Sequence, residues 1–259
     1  MMQGILFPLK MKHVTPRPTL ALAAALCVGL AGAQVGCNVA GFAAAALPPP
    51  TIEASYQDLG GHSAAVIVWA APEIQADYPA LTRQIGQRLQ TYLETARDDG
   101  NRTTRDALEG MSFPLPSSSY VRAFKNDPTL AYAPPEEIAS LAGAERVVYV
   151  EITRFTTGGG AAAGLVRGLA EVNLTIYEVA EPVVADDETS LASNRGTAEP
   201  AATEGYREAA IIFAYPPDGP SEGSARLAPA DAYRGLALEV TDGVAERLVE
   251  HRGPDRLSS

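Results

Sequence analysis

A glycine-rich stretch, Gly158–Gly164, is the part of this sequence that comes nearest to a cofactor-binding motif. It follows a predicted strand and has the spacing G-x-G-x-x-A, and Glu178 lies 20 residues beyond its first glycine, which outlines a dinucleotide-binding fingerprint. That fingerprint requires a full helix between two parallel strands, whereas only about ten residues separate these glycines from the next predicted strand. The stretch also has the glycine spacing of a phosphate-binding loop, but Leu165 and Val166 stand where Lys and Ser or Thr are needed. The sequence therefore predicts a connecting loop and no cofactor.

The histidines and the neighbouring carboxylates do not form a catalytic set either. His62 lies before the first predicted strand and His251 lies at the end of the last predicted helix, so both are expected in exposed positions. Neither has a cysteine partner for a zinc site, and no Ser-His-Asp arrangement is apparent. Acidic runs at 98–99, 136–137 and 186–188 fall in predicted loops or first helical turns, where carboxylates serve as caps. We therefore predict no catalytic residue, no metal ligand and no enzymatic activity.

Charge is distributed unevenly along the chain. The 259 residues include 20 Lys and Arg and 31 Asp and Glu, which gives a formal net charge of −11. Positions 1–37 contain the basic residues Lys10, Lys12 and Arg17 and no acidic residue, so positions 38–259 hold 17 basic and 31 acidic residues and a net charge of −14. Recognition of phosphate requires a positive surface, and we therefore expect no nucleic-acid partner.

The amino terminus has the features of an export signal. A basic stretch from Lys10 to Arg17 precedes an uncharged apolar run, Leu20–Ala33. As a helix this run would measure about 21 Å, which is less than the roughly 30 Å hydrocarbon core of a bilayer. The length is typical of the hydrophobic region of a signal peptide, and we predict that residues 1–36 form one. Met11 is an alternative start, because Met1–Lys10 would make that basic region unusually long.

Cys37 is the candidate site of lipid attachment. In Val35-Gly36-Cys37-Asn38 a small residue precedes a cysteine at the end of the apolar run, as in a bacterial lipobox, although Gln34 stands where Leu is usual. The other cysteine, Cys27, lies within the apolar run and would be removed, so Cys37 would have no disulfide partner. Diacylation of its sulfur accounts for this single thiol and anchors the chain stably. By resemblance to enterobacterial lipoprotein sorting, Asn38 after the cysteine favours the outer membrane.

Two other ways of processing the amino terminus stay open. Cleavage after Ala33, at an A-x-A site, would release a soluble chain that begins at Gln34. An uncleaved anchor would instead extend the apolar run through a second patch, Val39–Leu47. All three alternatives place residues 50–259 beyond the cytoplasmic membrane.

The rest of the chain divides into a tether, one domain and a short tail. We predict a lipidated cysteine and an Ala/Pro-rich tether over 37–58, a mixed α/β periplasmic domain over 59–253, and a disordered tail over 254–259. Pro48-Pro49-Pro50 favours an extended spacer of about 3.1 Å per residue, which would hold the domain away from the membrane surface.

Hydrophobic periodicity predicts the elements of the domain. Strands are predicted at 64–70, 146–155, 170–179 and 209–215, with a short edge strand at 111–115 and a loop over 182–203. Apolar residues every four positions, from Leu81 to Leu93, predict a helix that begins at an Asp77 cap. A similar stripe from Leu236 to Leu248 predicts a closing C-terminal helix. The fold class is therefore α/β (α+β): two or three layers, a mixed sheet of about four to five strands, and a β-hairpin over 146–179.

Four stretches carry a resemblance to known families: AAVIVWA, ADYPALTRQIGQRL, PPEEIASLAGAERVVYVEI and VNLTIYEV. Together with the signal and Cys37 they resemble a group of uncharacterised bacterial lipoproteins with a single mixed α/β domain. The layout is more loosely similar to curli-secretion lipoproteins, to lipoprotein activators of peptidoglycan synthases and to the N-terminal domain of the Tol propeller protein. The resemblance covers about residues 60–250, transfers only Cys37 as a site, and implies action by protein–protein contact.

We therefore expect a membrane-anchored envelope lipoprotein whose domain binds another envelope protein at the periplasmic face of the outer membrane. The alternative is a periplasmic domain that binds or hydrolyses a small molecule or a glycan. Trp69 and Tyr78, near the end of the first strand, are candidates for a partner surface, unless they simply fill the core beside a helix start. A deep pocket with converging ionisable groups would favour the alternative, and a shallow apolar surface would favour protein binding.

Overall fold

The domain is built on a four-stranded mixed sheet. A computed structural model describes residues 51–99, 101–158, 168–180, 202–217 and 229–252, of which Thr51–His251 form one compact unit. The strands are β1 (Thr51–Ile52), β2 (Ala64–Ala70), β3 (Arg146–Thr156), β4 (Gly168–Val179), β5 (Ala202–Tyr215) and β6 (His251–Arg252). The predicted signal peptide 1–36, Cys37, residues 38–50 of the tether and the tail lie outside the described residues, and they stay predictions.

The strand order of the main sheet is β2-β3-β4-β5, and β1 and β6 form a separate two-stranded sheet. β2 and β3 are parallel, which requires the long helical crossover that lies between them, while β3–β4 and β4–β5 are antiparallel. The mixed sheet and the hairpin over 146–179 are thus confirmed. The antiparallel pairing of β3 and β4 also excludes the parallel arrangement that a dinucleotide fingerprint at Gly158 would need.

Seven helical segments surround the sheet in the described residues. They are α1 (Pro72–Asp77), α2 (Leu81–Asp99), α3 (Arg102–Leu108), α4 (Ser117–Asn126), a 3-10 helix (Pro128–Tyr132), α5 (Pro135–Leu141) and α6 (Pro229–Leu248). Helices α2 and α6 cover one face of the sheet with the two predicted apolar stripes, and Leu89 and Val240 within those stripes are fully buried. Helices α4 and α5 and the 3-10 helix cover the opposite face of β2 and β3, where Ile67 and Tyr149 are buried. The predicted fold class and its closing C-terminal helix are confirmed.

Two glycines allow α6 to lie close against β5. A Cβ atom at Gly235 would overlap the ring of Tyr215, and one at Gly243 would overlap the ring of Phe213. The absence of both side chains therefore makes room for two aromatic rings of the outermost strand.

The crossover differs from the prediction at its first helix. Asp77 is the last residue of α1 and not the cap of α2, which begins at Leu81. Pro72 accounts for the difference, because a proline is well suited to the first turn of a helix and here begins a separate one.

Two further differences concern residues 111–115 and the start of β5. The predicted strand at 111–115 is wrong: its only strand-like feature in the described residues is one bridge between Ser112 and Ser63, since Pro114 has no backbone N–H to continue a ladder. The predicted loop over 182–203 is wrong at its end, because β5 already begins at Ala202; positions 182–201 lie outside the described residues. The early part of β5 is mostly exposed and therefore lacks an apolar pattern. Across the described residues, no helix combines the length and the apolar character that a membrane crossing requires.

Candidate functional site

Charged side chains meet at the amino ends of β2 and β3. Arg146 Nη2 lies 2.6 Å from Asp58 Oδ2 and 3.2 Å from His62 Nε2. Because a guanidinium only donates, His62 Nε2 must accept this hydrogen bond, and the ring proton is therefore on Nδ1. His62 Nδ1 is 3.7 Å from Glu145 Oε1. His62 is thus half-buried within an ionic cluster, and the prediction of an exposed position is wrong for this residue.

Glu145 is held by the turn that begins β2. Its Oε2 accepts the backbone N–H of Ser63 at 2.8 Å and the Ser63 hydroxyl at 3.2 Å. The backbone hydrogen bond from Ser63 is the largest cause that lowers the pKa of Glu145, and the neighbouring His62 adds to it. The Ser63 hydroxyl also accepts the Glu145 N–H at 3.0 Å, so this serine is bonded to the carboxylate and not to the imidazole.

The carboxylates of the ionic cluster are therefore bonded within the cluster itself. Its two carboxylates, Asp58 and Glu145, each contact a cation or a hydrogen-bond donor of the cluster itself. The Ser63 hydroxyl bonds to Glu145, so no nucleophile–base pair is formed with His62. Among the described residues, no group of three or more His, Cys, Asp or Glu is placed to hold a metal ion. The cluster is suited to fixing the starts of two parallel strands.

A larger feature lies at the carboxyl end of β2, and we call it the aromatic groove. It has a volume of about 450 Å³. Its lining includes three aromatic side chains, three prolines and one cation, which are Trp69, Phe124, Tyr132, Pro72, Pro79, Pro128 and Lys125. Among the described residues, Lys125 is the only ionisable side chain along it apart from the Tyr132 phenol.

The elements around the groove explain how its rings are placed: Trp69 and Phe124 are partly buried against the core, whereas Tyr132 is exposed. Trp69 is the only residue of β2 that is not buried, because it is the last one on the face that α4 covers. In the 3-10 helix, the Asp127 side chain accepts the N–H of Thr129 at 3.0 Å, and Leu130 is buried as the anchor. Tyr132 follows two residues later and is 84% exposed.

A second group of aromatic residues, Tyr78, Phe155 and Tyr233, forms a cluster in which the rings pack on one another. Tyr78 packs against Phe155 at a centroid distance of 4.9 Å and stacks on Tyr233 at 5.7 Å. Its hydroxyl lies 3.1 Å from the Thr157 hydroxyl. Of the two residues predicted for a partner surface, Tyr78 therefore belongs to a packed cluster, while Trp69 lines the groove. Neither Trp69, Phe124 nor Tyr132 makes a ring–ring contact with another described aromatic residue.

Another cavity, of about 230 Å³, lies near the point where the chain enters the domain. Tyr56 and Leu248 line it, and Glu53 and Glu250 are its ionisable carboxylates. No His, Lys, Arg or Cys of the described residues lines this cavity beside the two carboxylates, so it offers no base to activate a hydroxyl. The aromatic groove is therefore the better candidate site.

Sequence patterns did not identify Phe124, Lys125 and Tyr132. Their exposure depends on how α4 and the 3-10 helix sit against β2, and no motif marks that arrangement. The nearest signal is Pro128, which begins the 3-10 helix and precedes Tyr132 by four residues. Cys37, the predicted lipid-attachment site, lies outside the described residues.

Comparisons with known proteins give only weak likenesses. No family model and no curated protein matches the chain. A PelC dodecamer from Paraburkholderia phytofirmans is similar with 9% identity, a TM-score of 0.28 and coverage of 74% of this chain and 93% of that one. Lipoprotein GNA1162 from Neisseria meningitidis is similar with 14% identity, a TM-score of 0.29 and coverage of 71% of this chain and 99% of that one. Likenesses at this level carry no argument about function.

Proposed function

We propose that this chain is a lipid-anchored envelope protein whose α/β domain binds another envelope protein through the aromatic groove and does not catalyse a reaction. The anchor is the diacylated Cys37, and the location is the periplasmic face of the outer membrane. This location rests on the sequence: the apolar run Leu20–Ala33, the cysteine after Gly36, and Asn38 behind it.

One observation carries the protein-binding function. Trp69, Phe124 and Tyr132 line one groove without ring–ring contacts among them. Trp69 and Phe124 are partly buried against the core, and Tyr132 is 84% exposed. Exposing large aromatic surfaces costs favourable burial, and such residues are enriched at the centres of protein interfaces. By contrast, the Tyr78 ring packs against the rings of Phe155 and Tyr233.

Binding or hydrolysis of a small molecule or glycan is less well supported. Such activity needs ionisable groups that converge on a cavity. In the described residues, the aromatic groove offers Lys125 and no carboxylate. The two carboxylates of the ionic cluster are already bonded within it, while His62 Nδ1 is buried without a hydrogen-bond partner among these residues. We therefore favour a binding domain.

Site-specific photocrosslinking in living cells tests the proposal. A photoreactive phenylalanine at position 132 should crosslink one identifiable envelope protein, and a reciprocal pulldown from that protein should recover this chain. The matched control is the same photoreactive residue at position 102, since Arg102 is 90% exposed but lies on α3, away from the groove. Equal crosslinking from both positions, or no adduct from position 132, would contradict a partner at the groove.

A further inference from the structure

We infer that the aromatic groove binds an extended, proline-rich segment that carries an acidic side chain. This inference rests on the proposed function and names the chemistry of the partner. The ligand class follows from three properties of the groove, which are its ring surfaces, its hydrogen-bond donors and its charge.

The rings suit a stiff, extended chain. Aromatic-lined grooves recognise proline-rich segments because the polyproline II helix is already extended and loses little entropy on binding. In the groove, Trp69 lies at the end of a buried strand and Phe124 lies on a helix, so both rings are held by regular elements. Their faces are not used by other rings of the described residues. Separate ring surfaces on a fixed scaffold match the successive pyrrolidine rings of such a segment.

The polar groups of the groove are mainly donors. The Trp69 indole N–H, the Tyr132 hydroxyl and the Lys125 ammonium make no hydrogen bond with any described residue, although they line the groove. Gln75, which also lines it, directs its side-chain N–H to the Ala70 carbonyl at 2.5 Å. Proline residues have a carbonyl but no N–H, so a proline-rich segment offers acceptors without donors. A sugar would present hydroxyl donors as well, for which the described lining offers the neutral side-chain acceptors of Gln75 and Thr82 but no carboxylate.

The charge of the groove is opposite to that of the chain around it. Lys125 is the one permanent cation of its described lining, whereas residues 38–259 carry a net charge of −14. An acidic partner is therefore repelled by the domain as a whole and attracted at this place. A carboxylate next to the prolines would position the segment along the groove.

Fluorescence of the single tryptophan measures this binding directly. Trp69 is the only tryptophan of the chain, so any change in emission reports on the groove. The full chain, purified from membranes in detergent, would be titrated with an acetylated and amidated peptide of six prolines followed by one glutamate. We expect a saturable shift in emission, and no shift with a Gly/Ser peptide of equal length that ends in glutamate.

Two variants and two further ligands make the test specific. Tyr132→Ser should weaken binding about tenfold, which is the range of an exposed aromatic anchor. The second peptide has glutamine in place of the terminal glutamate. The parent should prefer the glutamate peptide, whereas Lys125→Met should bind both peptides equally well. Both side chains are exposed, so the thermal melting of the variants should match that of the parent. The inference is overturned if the proline peptide gives no saturable shift at millimolar concentration, if Tyr132→Ser binds as the parent does, or if maltohexaose shifts the emission and the peptide does not.

The crosslinking experiment separates this inference from the proposed function. Mass spectrometry of the adduct at position 132 identifies the captured segment of the partner. A captured segment with several prolines and a carboxylate supports the inference. A captured segment without proline overturns it and leaves the proposed function standing, whereas peptide binding without any cellular adduct supports the inference and contradicts the function.

Discussion

Ala210 has a backbone conformation that alanine rarely adopts, with φ at +56° in the middle of β5. The register between β4 and β5 shifts here, and the Asn173 side-chain oxygen accepts the Ala210 N–H at 3.0 Å. Asn173 in turn donates to Glu151 Oε2 at 2.9 Å, so a side chain replaces the ladder bond that the bulge loses. The left-handed region costs a residue with a Cβ roughly 1–2 kcal/mol, a cost that glycine does not have.

We expect Ala210→Gly to raise the free energy of unfolding by about 0.5–1 kcal/mol. The strain energy that the substitution relieves exceeds the additional conformational-entropy cost that glycine has on folding. Urea denaturation of the parent and the variant measures the difference. Ala209→Gly is the matched control: Ala209 is an exposed neighbour without a positive φ, and its replacement should lower stability. If both substitutions destabilise the domain equally, the bulge is not strained.

Single residues could be predicted from sequence where a pattern repeats. The stripe from Leu81 to Leu93 recurs every four positions, and these residues are at most 1% exposed. Tyr132 and Ala210 could not be predicted in this way, since neither belongs to a repeat. The exposure of Tyr132 follows from the burial of Leu130 in a one-turn 3-10 helix, and the conformation of Ala210 follows from a register shift against another strand.

At the scale of elements, an ion pair joins the edge strand β5 to helix α6. Arg247 Nε lies 2.7 Å from Glu208 Oε2, and the Tyr206 hydroxyl donates to the same oxygen at 3.0 Å. Burial opposes the ionisation of Glu208, but the hydrogen bonds from Arg247 and Tyr206 outweigh it and hold the pKa of Glu208 below its ordinary value. The folded state therefore binds this proton less readily than the unfolded chain does.

This linkage predicts how stability depends on pH. The contribution of a carboxylate with a lowered pKa is present above its unfolded-state pKa and is lost as the pH falls through its folded-state pKa. Glu208→Gln should therefore lower the free energy of unfolding by about 0.5–1 kcal/mol at neutral pH, a discounted value for a partly exposed pair. Between about pH 5 and pH 3 the stability of this variant should also fall less steeply than that of the parent.

Urea denaturation at a series of pH values provides the measurement. Glu204→Gln is the control on the same strand, because Glu204 is exposed and lies 3.6 Å from Arg207 in a surface pair. It should change stability at neutral pH by less than about 0.5 kcal/mol. Superimposable pH profiles for the parent and Glu208→Gln would contradict the role of the pair.

Elements were predictable from the sequence where burial imposes a period. The four main strands and helices α2 and α6 are anticipated by apolar runs and stripes, since each has a face in the core. The short helix α3 was missed, because seven residues are too few to establish a period. Its cap is nevertheless clear: the Thr104 N–H donates to Asn101 Oδ1 at 2.9 Å. The same reason applies to part of the groove, because two of the elements that line it, α1 and the 3-10 helix, are equally short.

At the scale of the whole molecule, charge and anchoring are connected. Residues 38–259 carry a net charge of −14, and the cytoplasmic and envelope lipid surfaces that bear anionic headgroups repel such a chain. Stable attachment to a membrane would therefore depend on a covalent lipid or an apolar segment, and two acyl chains on one cysteine suffice where one would not. The proposed location thus depends on position 37.

Replacement of Cys37 tests the anchor and distinguishes the three ways of processing the amino terminus. We expect Cys37→Ala to move the chain from the membrane pellet to the soluble fraction after cell disruption, because the lipids are its proposed attachment and its charge opposes adhesion. Cys27→Ala is the matched control, since this cysteine lies in the apolar run Leu20–Ala33 and would be removed with the predicted signal. If Cys37→Ala stays in the pellet with the parent, an uncleaved helical anchor holds the chain. If the parent itself is soluble and its amino terminus is Gln34, cleavage follows Ala33. The chain would then have no membrane tether, and the aromatic groove would not be held at the membrane where we propose that it meets its partner.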